Sequence, residues 1–344
     1  MWCKMKNGFF VPGLLCFTML GFTACGSHKE PAEAHSVTVF AMDTVMELTI
    51  YGDEGLLEQA EDLILELEGK LSVTDGESEI FKVNSYGGGA VSTDTRELLE
   101  RALALCGESE GALDISVYPV LQAWGFTTGE YRVPDGKEIE TLLQAVDYRN
   151  VSIGEDGSVV LASGMEIDMG SVAKGYASDR LVELFTENGV DSGILNLGGN
   201  VYAMGTKPDG SPWRVAITAP AEGGYAGVVE VEDRAVVTSG GYERYFEQDG
   251  IRYHHIIDPA AGYPVDNGFL SVTVIGSDGL ACDALSTALF VMGPAKASEF
   301  WEKRGGFEAV FITSEEICIT EGLEGNFSLL GSYQDREVRV LRHD

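Results

Sequence analysis

The chain has 344 residues, 23 of them Lys or Arg and 55 Asp or Glu, for a formal charge of −32. A body this acidic lacks the basic footprint that phosphate neutralisation needs, which excludes an ordinary nucleic-acid binder. With 44% hydrophobic and 23% charged residues it is not a disordered chain, and its 43 aperiodic glycines read as turns and close backbone approaches.

Residues 1–24 carry Lys4 and Lys6, then an apolar run from Phe9 to Phe22 too short for an ordinary transmembrane helix. This is the pattern of a secretion signal. Phe22-Thr23-Ala24-Cys25 resembles a bacterial lipobox, which implies lipidation of Cys25 and a lipid-anchored body on the extracytoplasmic side of the bacterial cell membrane. The alternative is an ordinary signal peptide with a chance cysteine. Residues 25–36 then form a polar tether, and residues 37–344 the folded domain. Only Cys106, Cys282 and Cys318 remain in that body, too few for a disulfide framework and without zinc spacing, so buried structural thiols are expected.

Along the domain, Val37–Tyr51 reads as a strand, Leu56–Leu71 and Thr95–Cys106 as amphipathic helices, and Val133–Asp147 as containing a third helix. Tyr148–Leu161 reads as a hairpin, Glu166–Asp168 as a short strand, Ser171–Asn188 as a helix closed by Gly189, and Ser192–Leu197 as a strand before a Gly-Gly turn. Strands are then expected at Trp213–Thr218, Gly227–Val231, Ala235–Ser239, Arg252–Ile257 and Leu270–Ile275. Helices follow at Ala281–Met292 and Ala295–Arg304, with late strands near Ala309–Ile312 and Val338–Leu341. Strands arrive in runs rather than alternating with helices, so the fold class is α+β, largely antiparallel, a single body with two lobes.

Four segments carry chemistry. In Glu166-Ile-Asp-Met-Gly-Ser-Val-Ala-Lys-Gly-Tyr176 a Gly turn enters a helix, where free N–H groups and Lys174 suit a phosphate or ribose near Asp168; the plain alternative for Gly170 and Gly175 is turn geometry and close packing. In Asp283-Ala-Leu-Ser-Thr287 the i, i+4 spacing puts a carboxylate and a hydroxyl on one helix face, the hard oxygens that Mg²⁺ takes; from spacing alone, an N-cap at Asp283 with a back-bonded Thr287 is the more ordinary reading. His254 and His255 are the histidines available to a folded site, and as strand neighbours only one of them faces a cleft. Leu197-Gly-Gly-Asn200 and Thr238-Ser-Gly-Gly-Tyr-Glu-Arg244 each can bring backbone N–H groups to a ligand, and neither is specific alone.

In this order and spacing the segments resemble the FAD:protein FMN transferases, the ApbE-like flavin transferases. The resemblance spans roughly Phe40 to Gly293 and includes Ala41-Met-Asp-Thr44, Gly111-Ala-Leu-Asp114, Trp124-Gly-Phe126, Ile167-Asp168 through Lys174-Gly-Tyr176, Leu197-Gly-Gly199, Thr238-Ser-Gly240 with Tyr242, His255-Ile-Ile-Asp-Pro259 and Asp283 to Thr287. It implies FAD as donor, Mg²⁺, transfer of FMN through its phosphate to a Thr or Ser hydroxyl, and release of AMP. It implies His255 as the base, and Asp283, Thr287 and the Ser171 carbonyl as metal ligands. Met42, Ala112, Leu113, Asp114, Asp168, Lys174 and the backbone near Ile257 would hold FAD, with Gly198, Gly199, Ser239 and Gly240 close to it. Thr74 stands where the family often has a stacking aromatic, and Leu113 replaces a common Phe. The implied partner is a protein carrying a Thr or Ser flavinylation motif, a membrane redox subunit or a secreted flavoprotein, with no nucleic acid and no membrane contact beyond the anchor. Mg²⁺-dependent hydrolysis of FAD to FMN and AMP, a flavin-binding lipoprotein without turnover, and a solute-binding lipoprotein are the competing readings.

Overall fold

Alternating apolar residues build a nine-stranded sheet with a core against each face. The computed structural model describes residues 33–220 and 223–343, so the leader, Cys25 and most of the tether lie outside the described residues. Across the sheet the strands are Ala34–Ala41, Thr44–Tyr51, Gly193–Leu197, Asn200–Met204, Arg234–Gly240, Phe269–Gly276, Glu308–Thr313, Ile317–Thr320 and Val338–Leu341. All neighbours are antiparallel except the last pair. This is the expected α+β architecture.

Successive strand residues go to opposite faces. Ala235, Val237, Val272, Val274, Ala309 and Phe311 enter one core, closed by the helices Gly55–Leu71, Thr93–Glu108, Ala173–Glu187 and Gly279–Arg304. Val236, Ile275, Val310 and Ile312 enter the other, closed by a three-stranded sheet of Phe327–Leu329, Tyr225–Val231 and Trp213–Thr218. A smaller core collects Val120, Trp124, Phe126, Ile139 and Ile257, with Phe246 and Tyr253 packed on it. The Trp124 indole N–H donates to the Gly262 carbonyl at 2.9 Å, so this buried ring leaves no polar group unpaired.

Several elements differ from the sequence expectation. The run expected as one strand, Val37–Tyr51, is a hairpin: Ala41 pairs with Thr44, and Met42 and Asp43 turn the chain at φ of 50° and 60°. Pairing begins at Ala34, inside the segment read as tether. Glu166–Asp168 joins no ladder. The Asn84 side chain takes that role, donating to the Ile167 carbonyl and accepting from the Ile167 amide, both at 2.8 Å. The short helix Glu79–Tyr86, capped by Ser78 and ended by Gly87, buries only Ile80 and Val83, too sparse a pattern to read from sequence. The helix expected within Val133–Asp147 is present, as Gly136–Leu142 followed by a 3-10 turn. The two late helices are both present as expected, within Gly279–Arg304, and are separated at Gly293 (φ 77°, ψ 169°) ahead of Pro294. Arg252–Ile257 keeps strand geometry only as far as His254, in a two-stranded ribbon with Tyr245–Gln248.

Cys106, Cys282 and Cys318 are free and buried. Burial pushes the Cys106 and Cys318 thiols up to about 12 and Cys282 well above its ordinary value.

Candidate active site

Two tight turns sit side by side at one end of the large sheet, because Thr44–Tyr51 and Gly193–Leu197 pair with Met46 opposite Leu197. Met42-Asp43 is one turn. Left-handed backbone at two non-glycine residues costs energy, and the Met42 amide is held by the Glu68 carboxylate at 2.7 Å. Gly198-Gly199 is the other, at φ of 66° and 92°, and a Cβ on Gly198 would run into the Thr44 side chain.

The third edge of the site comes from two helix entries. Asp278 caps the helix Gly279–Arg304 by accepting from the Ala281 amide at 2.8 Å, and Asp179 accepts from the Gly279 and Leu280 amides at 2.6 and 3.0 Å. Arg101 binds Asp278 at 2.7 Å and completes the anchor. Asp283 is therefore not the N-cap that spacing alone suggested; it lies further along the helix with Thr287 one turn on. Nor is Thr287 back-bonded: its hydroxyl meets the Ser239 hydroxyl at 3.3 Å, while Ser286 takes the bond to the Asp283 carbonyl at 2.8 Å.

Asp283 Oδ2 accepts from the Gly175 amide at 2.8 Å, in the first turn of the helix Ala173–Glu187. The anion at this helix entry is thus the protein's own carboxylate, and the Gly175 amide is not free for a ligand as the sequence alone suggested. The contact requires close helix packing. A Cβ on Gly175 would collide with the Gly279 carbonyl oxygen and come within 2.7 Å of the Asp283 Cβ. Gly175→Ala is expected to lower stability by about 1–3 kcal/mol, the usual cost of overpacking, and to reduce turnover by displacing Asp283. Thermal unfolding together with initial rates checks this, and an unchanged melting temperature would contradict the packing argument.

The histidine pair divides its roles across the strand end, His254 closing the strand and His255 lying just past it. His254 Nε2–H donates to the Val265 carbonyl at 2.8 Å and its Nδ1 accepts from the Ile256 amide at 3.3 Å, so both nitrogens serve the fold. His255 lines the cleft, edge-on to Phe126 at 6.4 Å. Its Nδ1 faces the Arg244 carbonyl at 3.2 Å. A carbonyl only accepts, so Nδ1 carries the proton and Nε2 keeps its lone pair. Burial, then the Arg244 charge, lower this imidazole to about 3.

These elements enclose a cavity of about 760 Å³, within the range of ligand clefts. The expected site residues Met42, Thr74, Ala112, Leu113, Asp114, Asp168, Ser171, Lys174, Gly198, Gly199, Ser239, His255, Ile257, Asp283 and Thr287 all line it. Gly240 does not. It closes a strand opposite Ser271, and any side chain there would strike the Tyr242 ring. Asp114 reaches the wall with its oxygens already engaged, Oδ1 by the Ser116 amide and hydroxyl and Oδ2 by the Tyr148 amide. Thr74 is exposed and its amide is tied to the Ser72 hydroxyl at 3.2 Å. Leu113 is buried in the wall.

Sequence reasoning missed Glu68, and took the segments holding Asn200 and Arg244 for their backbone and not for these two side chains; all three residues line the cavity. Arg244 donates to the Phe126 carbonyl at 2.8 Å, which ties the minor aromatic core to the cleft. The acidic body thus turns two cations, Lys174 and Arg244, toward the cavity. Burial raises the Asp168 carboxyl, opposed by the Gly170 amide and by these two charges. Burial likewise raises the Asp283 carboxyl, opposed by Lys174, the Gly175 amide and Asn200.

Among the described residues no three His, Cys, Asp or Glu side chains gather as metal ligands. The donors at the Asp283 end are one carboxylate, the Thr287 hydroxyl and nearby oxygens. That set suits a hard cation that keeps part of its water shell and binds phosphate, as Mg²⁺ does, and is wrong for zinc.

The sequence model of the ApbE family matches residues 42–311. The chain belongs to the ApbE family. It is 33% identical to the FAD:protein FMN transferase of Treponema pallidum (strain Nichols) over 326 residues, covering 87% of this chain and 90% of that one. It is also 33% identical to the FAD:protein FMN transferase of Klebsiella pneumoniae (strain 342) over 307 residues, covering 87% and 95%. The crystal structure of the ApbE protein of Thermotoga maritima matches with a TM-score of 0.81 at 31% identity, covering 86% of this chain and 99% of that one. The flavin transferase ApbE of Vibrio cholerae matches with a TM-score of 0.75 at 27% identity, covering 89% and 100%. As an ApbE member with such relatives over most of its length, the chain is an enzyme of the transferase class.

Proposed function

We propose that the chain transfers FMN from FAD to a Thr or Ser hydroxyl of a target protein, with Mg²⁺, and releases AMP. The observation that carries this reading is the meeting in one cleft of a neutral imidazole, two cationic side chains and the Asp283–Thr287 oxygen pair. The activity named for the Treponema and Klebsiella relatives supports it.

The acceptor hydroxyl oxygen attacks the phosphorus on the flavin side of FAD, the anhydride bond breaks, and the bridging oxygen leaves on AMP. His255 Nε2 takes the hydroxyl proton, while the Arg244 carbonyl fixes the ring through Nδ1. Lys174 and Arg244 offset the two charges of the diphosphate, which an acidic body would otherwise repel. Asp283, Thr287 and the Ser171 carbonyl would hold Mg²⁺, which when bound supplies charge neutralisation at the diphosphate and at the leaving phosphate. The walls at Met42, Thr74, Ala112, Leu113, Asp168 and Ile257 would take the flavin and adenosine parts of FAD. The same proposal carries a lipid anchor at Cys25, placing the cleft on the extracytoplasmic side, where a membrane redox subunit or a secreted flavoprotein would meet it.

The test is to incubate the full-length chain with FAD, Mg²⁺ and a flavin-acceptor domain and to read the intact acceptor mass. A gain of FMN less one water, with an equal amount of AMP, is the expected result. AMP and FMN without an adduct would make the enzyme a hydrolase, and retained FAD with neither product would leave a binding protein.

A further inference from the structure

Asn200 is 1% exposed, and neither its Nδ2 nor its Oδ1 has a hydrogen-bond partner among the described residues. It stands in the cavity wall directly after the Gly198-Gly199 turn and opposite Val237, one residue before the Thr238-Ser239 strand end that touches Ser286 and Thr287. It also lies beside Asp283, whose Oδ2 accepts from the Gly175 amide and whose carboxyl the Asn200 side chain helps to hold down. A buried primary amide left unpaired costs about 1–3 kcal/mol per lost group, so a site that retains one has a use for it. An amide is suited to this place. Its carbonyl is a hard, neutral oxygen ligand, and its NH₂ can hold a carboxylate.

We propose that Asn200 is a positioning residue for the divalent cation, its Oδ1 joining the oxygen ligands at Asp283 and Thr287 and its Nδ2 holding the Asp283 carboxylate. The inference rests on the cation site of the reading above, but its test needs neither flavin nor acceptor. Mn²⁺ is titrated into the full-length chain and followed by loss of the free-ion paramagnetic signal, for wild type, Asn200→Ala, Asn200→Leu, Asn200→Asp and Asp283→Ala. Melting temperatures are recorded without metal in parallel.

Wild type is expected to bind an ion that Asp283→Ala loses. Asn200→Ala and Asn200→Leu weaken binding about 10–100-fold, the usual effect of losing a group that orients metal ligands. Asn200→Asp restores or exceeds wild-type affinity, because it keeps the oxygen and adds charge. Metal-free Asn200→Leu melts no lower than wild type, since it removes an unpaired buried amide at similar volume. Unchanged Mn²⁺ affinity in the Ala and Leu variants overturns the proposal. So does a wild-type chain without Asp283-dependent binding, and so does a set in which affinity falls only in step with melting temperature. If the Mn²⁺ results hold while no flavin reaches an acceptor, the transfer reading fails and the role of Asn200 stands.

Discussion

Replacing His255 by alanine leaves FAD affinity within about twofold of wild type and lowers transfer by about 10²–10⁴-fold, the usual contribution of a positioned base. The geometry gives the reason. Nδ1 is committed to the Arg244 carbonyl, Nε2 alone can accept a proton, and the neighbouring His254 cannot substitute, because it spends both nitrogens on Val265 and Ile256. An imidazole near 3 is neutral at any physiological pH but weakly basic. A bound diphosphate brings negative charge beside it and raises that value toward neutrality. NMR titration of the ring is therefore expected to show its pKa rising when ADP is added. The sign for stability also follows: between about 3 and 6.5 the unfolded chain holds the extra proton, so this residue's contribution to stability is lost as pH falls through that window. FAD affinity and turnover falling together in His255→Ala would make the ring structural.

Asp283→Asn is expected to abolish Mg²⁺-dependent turnover, a loss of at least about 10²-fold on the scale of a missing electrostatic stabiliser, while the fold survives. Asparagine still offers an oxygen to the Gly175 amide, so the close helix contact persists. Asp283→Ala differs in one respect. It leaves a buried helix-entry N–H without a partner, adding a stability cost of about 1–3 kcal/mol. Comparing the two variants separates the cation from the packing. Mg²⁺ titration of initial rates decides the matter, and a titration midpoint unchanged in Asp283→Asn would remove Asp283 from the cation site.

Much of this site was legible because its chemistry is written in short runs. Asp283 to Thr287 is one helical turn, and Lys174 lies beside a Gly turn. The adjacent histidines stood out as the pair available to the folded site, and His255 faces the cleft just past the strand end at His254. What could not be read is what long-range packing decides. The partner of the Gly175 amide lies 108 residues away at Asp283, and Arg244 acts on His255 through its main-chain carbonyl as well as its charge, neither of which leaves a pattern in composition. Gly240 looked equivalent to Ser239 in sequence, but alternation turns it away and the Tyr242 ring fills its place. Of the strands, Val37–Tyr51 misled because Met42-Asp43 adopts a glycine-like turn without glycine. Glu166–Asp168 misled because an asparagine side chain, rather than a neighbouring strand, satisfies its backbone.

The sealed thiols make this body a convenient scaffold for spectroscopy. Cys106, Cys282 and Cys318 are buried, and the same burial holds each as the unreactive thiol at neutral pH. With Cys3, Cys16 and Cys25 exchanged for serine, one cysteine introduced at an exposed position such as Tyr86, 82% accessible at a helix end, becomes the fast-reacting site for a maleimide dye. A single fluorophore placed this way follows folding and tumbling of the body in solution, without removing any native residue from the core.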